Sequence, residues 1–313
     1  MLVSIIIPSF SPESYQNLTD AINSLLAQSY AEIEVVVVIH TNQRLYDRIA
    51  ELYSSQKKVK LIFNEVSLGA YAARNVGVKA AQGDILAFLD DDAVADEKWV
   101  ETLVNTYKEL DAVAVGGKIL PVWLPMRPDY FPEELYWLVG VTHKGFAEDK
   151  LAEVRNVFGP NMSFKREVFE QAGFFNESLG FASKGTSYIQ AGEAEFSLRM
   201  TSKFGVGVIY NPGAIVHHKI PVSKARLRLL LKRSFYQGYS KVLLEKLGAS
   251  PNSIRTEKSH LKELLLKYVP QRIKGILVGP NRMSGLKQLL VLVSCVFAVG
   301  LGFLWGHKVK LSE

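Results

Sequence analysis

The first 115 residues alternate short apolar runs with stretches of helical character, and this alternation constrains the fold more than any other feature. Apolar runs rich in β-branched residues occupy residues 3–8, 33–39, 59–63, 85–89 and 112–115. Helical stretches lie between them at residues 18–28, 45–54, 70–81 and 96–110. Strands that are apolar on both faces are typical of a parallel sheet covered by helices. The sequence therefore predicts an α/β domain with a Rossmann-like, parallel-rich sheet.

Polar residues follow three of these runs, in the segments Pro8-Ser9-Phe10, His40-Thr41-Asn42 and Asp90-Asp91-Asp92. In open α/β sheets, ligands bind in the crevice outside the carboxyl ends of the strands. We therefore expect the three segments to converge on one ligand-binding crevice. The sequence has no Gly-x-Gly-x-x-Gly after Pro8 and no Gly-x-x-x-x-Gly-Lys-Ser/Thr, which argues against dinucleotide dehydrogenases and P-loop NTPases.

The acidic triplet Asp90-Asp91-Asp92 directly follows the apolar run at residues 85–89. Like charges this close repel one another unless a cation lies between them. Mg²⁺ and Mn²⁺ are hard cations that prefer carboxylate and phosphate oxygens. The triplet therefore predicts a divalent metal site that recruits a diphosphate. The alternative is that Asp92 or Asp96 caps the helix that follows.

Two histidines, His217 and His218, follow the apolar residues 214–216 and precede Lys219. A lone histidine is more often structural than a ligand, but imidazole also binds metal ions and, when protonated, phosphate. We expect one of the two histidines to contact a metal ion or a phosphate, and we prefer His218.

The net charge of +6 is distributed unevenly along the chain. Residues 221–313 carry 17 Lys and Arg against 4 Asp and Glu, whereas the residues before them carry 20 against 27. Such asymmetry indicates a nucleic acid or an anionic membrane as the partner of the basic part. We expect a membrane and no nucleic acid, because the basic residues adjoin the apolar segment 289–305 and do not line an aromatic-bearing sheet.

Residues 289–305 carry no charge and are long enough for a short transmembrane helix that ends at the interfacial residue Trp305. The alternative is a buried core helix. Seven basic residues lie between positions 258 and 287, but only Lys308 and Lys310 follow the segment. The positive-inside rule predicts a single-pass protein of the cell membrane with its catalytic part in the cytoplasm. The stretch 227–247 is predicted to be a basic amphipathic helix at the membrane surface.

Five segments occur in the order seen in family 2 glycosyltransferases, and over roughly residues 1–240 the chain resembles that family. The segments are SIIIPSF at 4–10, SLGAYAARNVG at 67–77, GDILAFLDDD at 83–92, GPNMSFKR at 159–166 and GEAEFSLR at 192–199. The resemblance implies a GT-A fold, a nucleotide-diphospho-sugar donor and inversion at the anomeric carbon. It also implies an Asp-x-Asp metal site that holds Mn²⁺ or Mg²⁺ as the cofactor.

Carried onto this chain, the resemblance gives roles to the polar residues at the strand ends. Asp90 would face the ribose and Asp92 the metal, while Arg74 would reach the uridine or its phosphates. His218, preferred above on the residues alone, is the second candidate metal ligand. The family commonly has an acidic residue after the second strand, where it pairs with uracil. Here His40-Thr41-Asn42 takes that place, and His40 or Asn42 could bond to the base edge. The donor-binding residues expected in all are Pro8, Ser9, Phe10, His40, Arg74, Asp90 and Asp91.

Glu193 is the candidate catalytic base. It occupies the position where the family's Glu-Asp pair supplies the base, two residues before Glu195 and six before Arg199. A carboxylate at this position could take the proton from an acceptor hydroxyl. The alternative is a carboxylate at a helix N-terminus after Gly192, favourable with the helix dipole and chemically idle.

Residues 121–123 and 131–146 resemble a narrower group, the archaeal glucosyl-dolichyl phosphate glucuronosyltransferases, which act in protein N-glycosylation and end in a membrane segment. The resemblance implies UDP-glucuronate as donor and a dolichyl-phosphate-linked sugar as acceptor. Lys144, Arg155 or Lys184 could pair with the donor carboxylate. From the residues alone, the apolar stretch 133–141 is an acceptor-side wall, a membrane-facing surface or ordinary packing against the sheet.

These expectations divide the chain into a nucleotide-sugar-binding half (1–118), an acceptor-side half of the GT-A domain (119–220), basic amphipathic membrane-surface helices (221–287), a transmembrane helix (288–306) and a short tail (307–313). The expected function is inverting, metal-dependent transfer of glucuronate from UDP-glucuronate to a dolichyl-phosphate-linked sugar. Two alternatives remain open: a polyprenyl-phosphate glycosyltransferase that uses dolichyl phosphate itself as acceptor, and a non-catalytic, membrane-tethered sugar-nucleotide binder.

Overall fold

The structure, a computed structural model, describes residues 1–11, 14–65, 69–179, 189, 191–246 and 261–308. The described residues group into two compact units. The first unit lies within Met1–Pro121, Ala147–Ser187 and Gly192–Lys219, and the second within Val122–Phe146, Tyr188–Ala191 and Ile220–Glu313.

The first unit begins with four parallel strands. They are β1 (Val3–Ser9), β2 (Ile33–His40), β3 (Val59–Asn64) and β4 (Ile85–Phe88), arranged in the order β3-β2-β1-β4. Three helices connect them: α1 (Tyr15–Leu26), α2 (Gln43–Tyr53) and α3 (Ala70–Ala80). The strands are parallel because each connection is a helix that returns the chain to the same edge. The parallel-rich α/β sheet predicted from the alternation is thus confirmed.

Antiparallel strands extend this sheet beyond β4. They are β5 (Ala93–Ala95), β6 (Ala114–Leu124), β7 (Ala152–Val154), β8 (Met162–Lys165) and β9 (Val208–Pro221). The order continues β4-β8-β6-β9-β5, and β7 also pairs with β9. Three helices accompany these strands: α4 (Trp99–Leu110), α5 (Arg166–Ala172) and α6 (Gly192–Phe204).

The core of the first unit lies on both faces of the parallel strands. Every residue of β1 is buried, because its apolar side chains face helices on either side of the sheet. From α1, Leu18, Ile22 and Leu25 contribute side chains that are fully buried, spaced so that they share one helical face. Burying each such side chain stabilises the fold by about 1.5–3 kcal/mol.

The strand predicted at residues 112–115 continues much further, as β6, to Leu124. A Cβ at Gly117 would lie only 1.9 Å from the carbonyl oxygen of Ala214. Glycine is therefore required there for close approach of the backbone and does not end the strand.

The second unit is mainly helical. Its helices are α7 (Leu227–Lys246), a π-helical turn (Leu264–Tyr268) that runs into α8 (Val269–Val278), and α9 (Arg282–Lys308). By length and composition, α9 is the one described helix that is long and apolar enough to cross a membrane. The stretch 227–247 was predicted to be helical, and the described part of it is α7.

A short 3₁₀ segment, Glu133–Val139, also belongs to the second unit. Its apolar side chains Leu135, Leu138 and Val139 are almost completely buried. The rings of Phe131 and Tyr136 pack together with a centroid separation of 5.6 Å. These side chains are therefore buried and do not form an exposed membrane-facing surface.

Candidate active site

The carboxyl ends of β1 and β4 bring Ser9 beside the acidic triplet. The two strands are parallel neighbours, with Ile6 opposite Phe88, so the residues that follow each strand lie at the same edge of the sheet. The Ser9 hydroxyl donates a hydrogen bond of 2.6 Å to Oδ2 of Asp91. The first and third of the polar segments therefore meet, as the strand order requires.

Asp91 is the member of the triplet that is held by the loop after β1. Ser9 and Ser14 both donate hydrogen bonds to its carboxylate. Burial and the nearby charge of Asp92 raise the pKa of Asp91 to about 6, although the two serine hydroxyls act in the opposite direction. Asp91 stays a predicted donor-binding residue, and its hydrogen bonds suggest that it orders the backbone beside the donor site.

Asp90, Asp92 and His218 form a group that could hold a metal ion. Strand β5 pairs antiparallel with β9 so that Ala93 lies opposite His218, which brings the imidazole next to the triplet. One potential ligand atom from each residue lies within 4.8 Å of the others. Nε2 of the buried His218 lies 2.9 Å from Oδ1 of Asp92. Two carboxylates and one imidazole suit Mn²⁺, and they suit Mg²⁺ when phosphate oxygens complete the ligand set.

A second histidine and carboxylate pair, His217 with Asp96, lies outside this group. Adjacent strand residues point to opposite faces of a sheet, and His217 Nε2 accordingly lies 2.8 Å from Asp96 Oδ1. Helix α4 begins only at Trp99, and no side chain caps its first turn. The alternative that Asp92 or Asp96 caps this helix is therefore wrong, because both carboxylates face histidines of β9 instead.

Arg74 joins the candidate metal group to the candidate base. Its side chain is only 5% exposed, and it projects from the second turn of α3. Nη2 donates to Oδ1 of Asp90 at 3.0 Å, and Nη1 donates to Oε1 of Glu193 at 3.1 Å. Burial alone would lower the pKa of Arg74, but Asp90 and Glu193 together raise it above its usual value. Arg74 therefore remains a cation and fixes the positions of two carboxylates.

Glu193 lies in the first turn of α6 and has two donors on its carboxylate. Arg74 binds one oxygen, and the hydroxyl of the buried Tyr71 donates to the other. Burial, with the charge of Glu193, raises the pKa of Tyr71 well above its usual value, so Tyr71 stays a hydrogen-bond donor. Glu193 does lie at a helix N-terminus, as the alternative interpretation expected. That interpretation did not include the contacts with Arg74 and Tyr71.

Gly192 allows Tyr71 to reach Glu193. A Cβ at Gly192 would lie 2.3 Å from Cζ of Tyr71, closer than real atoms approach. The ring of Tyr71 also stacks on Phe175, with a centroid separation of 5.6 Å. The first residue of α6 is therefore a glycine because an aromatic ring passes directly over it.

Glu195, two residues after Glu193, forms an ion pair within α6. Its two carboxylate oxygens accept hydrogen bonds of 2.7 and 2.8 Å from Arg199, one helical turn further along α6. Ion pairs at this spacing mainly stabilise the helix that carries them. The base of the candidate site is therefore oriented by Tyr71 and Arg74, and not by its acidic neighbour.

The other expected donor residues lie along the same edge of the sheet or close to it. Pro8 is buried within β1, and the ring of Phe10, just beyond the strand, is 61% exposed. His40 is the last residue of β2, opposite Asn64 of β3, and its Nδ1 lies 3.3 Å from the Asn64 amide nitrogen. These positions surround the end of β1, where the donor was expected.

Three residues were suggested as alternatives for pairing with the donor carboxylate. Arg155 bonds to its neighbour Asn156 at 2.8 Å in the first unit. Lys144 belongs to the second unit, where its ammonium group lies 5.4 Å from the ring centroid of Tyr268. Lys184 lies outside the described residues.

Tyr71 is the residue of this site that the sequence argument overlooked. It lies within the quoted segment 67–77, three residues before Arg74. Helical residues with this spacing share one face, so a tyrosine there was placed to reach whatever Arg74 reaches. The spacing was the available signal, but it does not say which residue the hydroxyl would contact.

Residues 4–173 match the model of glycosyl transferase family 2. A curated protein of Haloferax volcanii, named glucosyl-dolichyl phosphate glucuronosyltransferase, is 38% identical over 307 residues. That alignment covers 98% of this chain and 96% of the Haloferax protein. The family match covers four of the five segments in which the resemblance was first seen, and the alignment with the Haloferax protein spans nearly the whole chain.

Two solved structures share the architecture of this chain. The mannosyltransferase PcManGT of Pyrobaculum calidifontis, in complex with GDP-Man and Mn²⁺, matches with a TM-score of 0.64 at 17% identity, over 97% of this chain and 87% of that one. S. aureus TarS 1-349 in complex with UDP-GlcNAc matches with a TM-score of 0.55 at 17% identity, over 96% and 82%. These likenesses show the fold, which is the GT-A fold. The chain therefore belongs to glycosyl transferase family 2 and is a glycosyltransferase.

Proposed function

We propose that this glycosyltransferase moves glucuronate from UDP-glucuronate onto a sugar carried by dolichyl phosphate, with inversion at the anomeric carbon. The name of the Haloferax relative, which covers nearly the whole chain, supports this donor sugar and this lipid-linked acceptor. Within the chain, one observation carries the proposal: Arg74 bridges Asp90 of the metal group and Glu193. The bridge supports a site in which a diphosphate anchor and a proton acceptor lie next to each other.

On the donor side, Asp90, Asp92 and His218 would hold Mn²⁺ or Mg²⁺. Such a cation, when bound, offsets the negative charge of the departing diphosphate. The nucleoside would lie against the ends of β1 and β2, where Ser9 and His40 offer hydrogen-bonding groups. Both terminal nitrogens of Arg74 donate hydrogen bonds to carboxylates. Its proposed role is therefore to orient Asp90 and Glu193.

On the acceptor side, Glu193 takes the proton from the attacking hydroxyl of the lipid-linked sugar. The hydroxyl oxygen forms a bond to the anomeric carbon as the bond from that carbon to the donor phosphate breaks, and UDP leaves. A single displacement of this kind inverts the anomeric configuration. Tyr71 and Arg74 hold the carboxylate in one orientation, which keeps its free lone pairs available to the acceptor.

Dolichyl phosphate itself is the second acceptor considered. Its phosphate is ionised at neutral pH and needs no base, so Glu193 would then be dispensable. Arg74 contacts Asp90 and Glu193, and Tyr71 also contacts Glu193. These contacts favour a hydroxyl acceptor, because they hold a candidate base in place. The other alternative, a non-catalytic binder, has lost its support because the chain belongs to a family of transferases.

A lipid-linked acceptor requires that the enzyme act at a membrane. The basic composition of residues 221–313 and the apolar helix α9 support membrane association. Single-pass anchoring with the catalytic unit in the cytoplasm stays a prediction from the sequence.

The test is a screen of donors and acceptors with the full-length protein and Mn²⁺. UDP-glucuronate, UDP-glucose and GDP-mannose are each offered with dolichyl phosphate and with glucosyl-dolichyl phosphate, and product masses are measured. We expect one product, glucosyl-dolichyl phosphate extended by a single hexuronate. Equal transfer from UDP-glucose would contradict the proposed donor, and a glycosylated dolichyl phosphate would contradict the proposed acceptor.

A further inference from the structure

Helix α9 has one buried face and one exposed face, both apolar. The buried residues recur every three or four positions and are Val291, Leu292, Cys295, Ala298, Gly302 and Gly306. The exposed apolar stripe consists of Leu286, Leu290, Val293, Phe297, Leu301 and Leu304. Phe297 is 67% exposed and Leu304 is 63% exposed. An apolar surface of this length marks a membrane or a partner protein.

The buried face of α9 packs tightly against α7. A Cβ at Gly302 would lie 1.8 Å from the carbonyl oxygen of Phe235, and a Cβ at Gly238 would lie 1.9 Å from that of Val299. Gly306 meets Val242 further along. From the contact of Gly238 with Val299 to that of Val242 with Gly306 both residue numbers increase, so the two helices run parallel, side by side. Small residues allow their backbones to touch along this seam.

Helix α9 is also held by polar contacts near both of its ends. Lys287 Nζ donates to Oδ2 of Asp129 at 2.7 Å, and the amide nitrogen of Gln288 donates to the Asp129 carbonyl at 2.7 Å. At the other end, Lys246 of α7 donates to the carbonyl of Gly306 at 2.8 Å. Helix α9 is therefore held by Asp129 near its start and by α7 further along and at its end.

The charges of α7 are incompatible with a membrane interior. The part of α7 that lies along α9 carries Lys232, Arg233, Lys241, Glu245 and Lys246. Charged side chains near the centre of a bilayer are costly unless they are paired or face water. If α9 crossed the membrane, either α7 would enter it too or the seam between Gly238 and Gly302 would have to open. Two of these side chains, Lys232 and Lys246, are exposed, so an α9 that crossed a bilayer while packed on α7 would bring exposed lysines into lipid.

We propose that α9 lies in the plane of an anionic membrane surface, with its exposed stripe among the outer parts of the lipid chains and α7 behind it on the aqueous side. Exposed apolar residues of α8, among them Leu277 and Val278, extend the same kind of surface. Lys274 and Arg282 are exposed next to them and fit anionic headgroups. This inference rests on the membrane association in the proposed function. It replaces the single-pass anchoring predicted from the sequence with a helix at the membrane surface, and it does not depend on which sugar is transferred.

The first test is the sidedness of the C-terminus in the full chain. Two single-cysteine proteins are made in a Cys295→Ser background, one with Ser312→Cys in the tail and one with Ser55→Cys on the surface of the first unit. Membrane vesicles carrying each are treated with a membrane-impermeant maleimide. We expect both cysteines to react from the same side. A tail that reacts only after detergent is added would overturn the proposal, whether or not the enzyme transfers glucuronate.

The second test uses two matched substitutions in α9. Gly302→Leu and Gly300→Leu add the same apolar side chain, but a Cβ at Gly300 meets nothing within 4 Å. If the seam exists on the membrane, Gly302→Leu lowers the Tm of the vesicle-bound protein by at least about 5 °C, while Gly300→Leu leaves it unchanged. Equal Tm values for the two variants would overturn the proposal, because a helix surrounded by lipid treats both positions alike.

The third test identifies what covers the exposed stripe. Wild-type protein is sedimented with phosphatidylcholine vesicles, with and without phosphatidylglycerol, at low and high salt. We expect binding that is at least about tenfold tighter with phosphatidylglycerol and that weakens with salt. A stable dimer that ignores both kinds of vesicle would show that a second copy of the chain covers the stripe, and would overturn the proposal.

Discussion

The two units of the chain place charge and apolar surface in opposite ways. In the first unit a cation, Arg74, is buried between two carboxylates, and exposed large apolar residues such as Leu52 and Leu110 are isolated. In the second unit the exposed apolar residues form a stripe along α9, and basic side chains lie at the surface. Burying charge orients groups for chemistry, whereas exposing apolar surface provides for a lipid partner.

The largest effect is expected at the metal group, where the chain offers a matched pair of carboxylates. Asp92 and Asp96 flank β5, and they face His218 and His217 of the paired strand β9. Asp92→Asn should lower kcat/KM by roughly 10⁴-fold, because several kcal/mol of charge stabilisation at the departing diphosphate would be lost. Asp96→Asn should stay within about twofold of wild type, as is usual for surface substitutions. Steady-state kinetics with Mn²⁺ would measure both, and equal losses would show that the pairs do not differ in function.

The next effect separates the two carboxylates at the start of α6. Glu193→Gln should lower kcat by about 10³-fold, within the range for loss of a general base, with little change in the KM of the donor. Glu195→Gln removes only the partner of Arg199 and should cost little activity. Near-normal turnover of Glu193→Gln would mean that the acceptor is an ionised phosphate and that no base is needed.

A smaller effect is expected at Tyr71, which orients Glu193 without touching substrate. Tyr71→Phe should lower kcat about tenfold, the cost of one hydrogen bond to a charged group. The acid limb of the pH–rate profile should also move to higher pH, because the carboxylate loses a donor that stabilises its charged form. In the wild type, the raised pKa of Tyr71 keeps this donor protonated beyond pH 10.0, the usual value for tyrosine.

Tyr107→Phe is the control for Tyr71→Phe. Tyr107 is also buried, but its hydroxyl pairs with Ser163 at 2.9 Å and lies apart from the candidate site. We expect this control to lower the Tm and to leave the pH–rate profile in place. A profile that Tyr71→Phe leaves unmoved would reduce Tyr71 to a packing residue.

The sequence predicted those parts of the site that depend on local pattern. Ser9 and Asp91 are 82 residues apart, yet each directly follows an apolar run, so their meeting at the sheet edge could be expected. The contact between Tyr71 and Glu193 could not, because nothing in an alanine-rich helix indicates what a hydroxyl will meet 122 residues later. What surrounds α9 could not be predicted from the sequence either. An apolar run of that length looks alike whether lipid surrounds it or Gly238 packs against it.

The smallest effect compares exposed leucines of the two units. Leu304→Gln, in the stripe of α9, should weaken binding to anionic vesicles about fivefold, the cost of losing roughly 1 kcal/mol of apolar contact. Leu52→Gln changes a leucine that is 47% exposed in the first unit and should not alter vesicle binding. Equal effects of the two substitutions would show that the units do not differ in their affinity for lipid.

The central claim is that Asp90, Asp92 and His218 hold the cation that anchors the donor diphosphate. The most direct measurement is anomalous diffraction at the manganese edge from crystals of the full-length protein grown with UDP and Mn²⁺. We expect a single strong peak within coordination distance of Asp92 and His218, in contact with the diphosphate of UDP. A diphosphate bound elsewhere, or a manganese peak away from these side chains, would contradict the account.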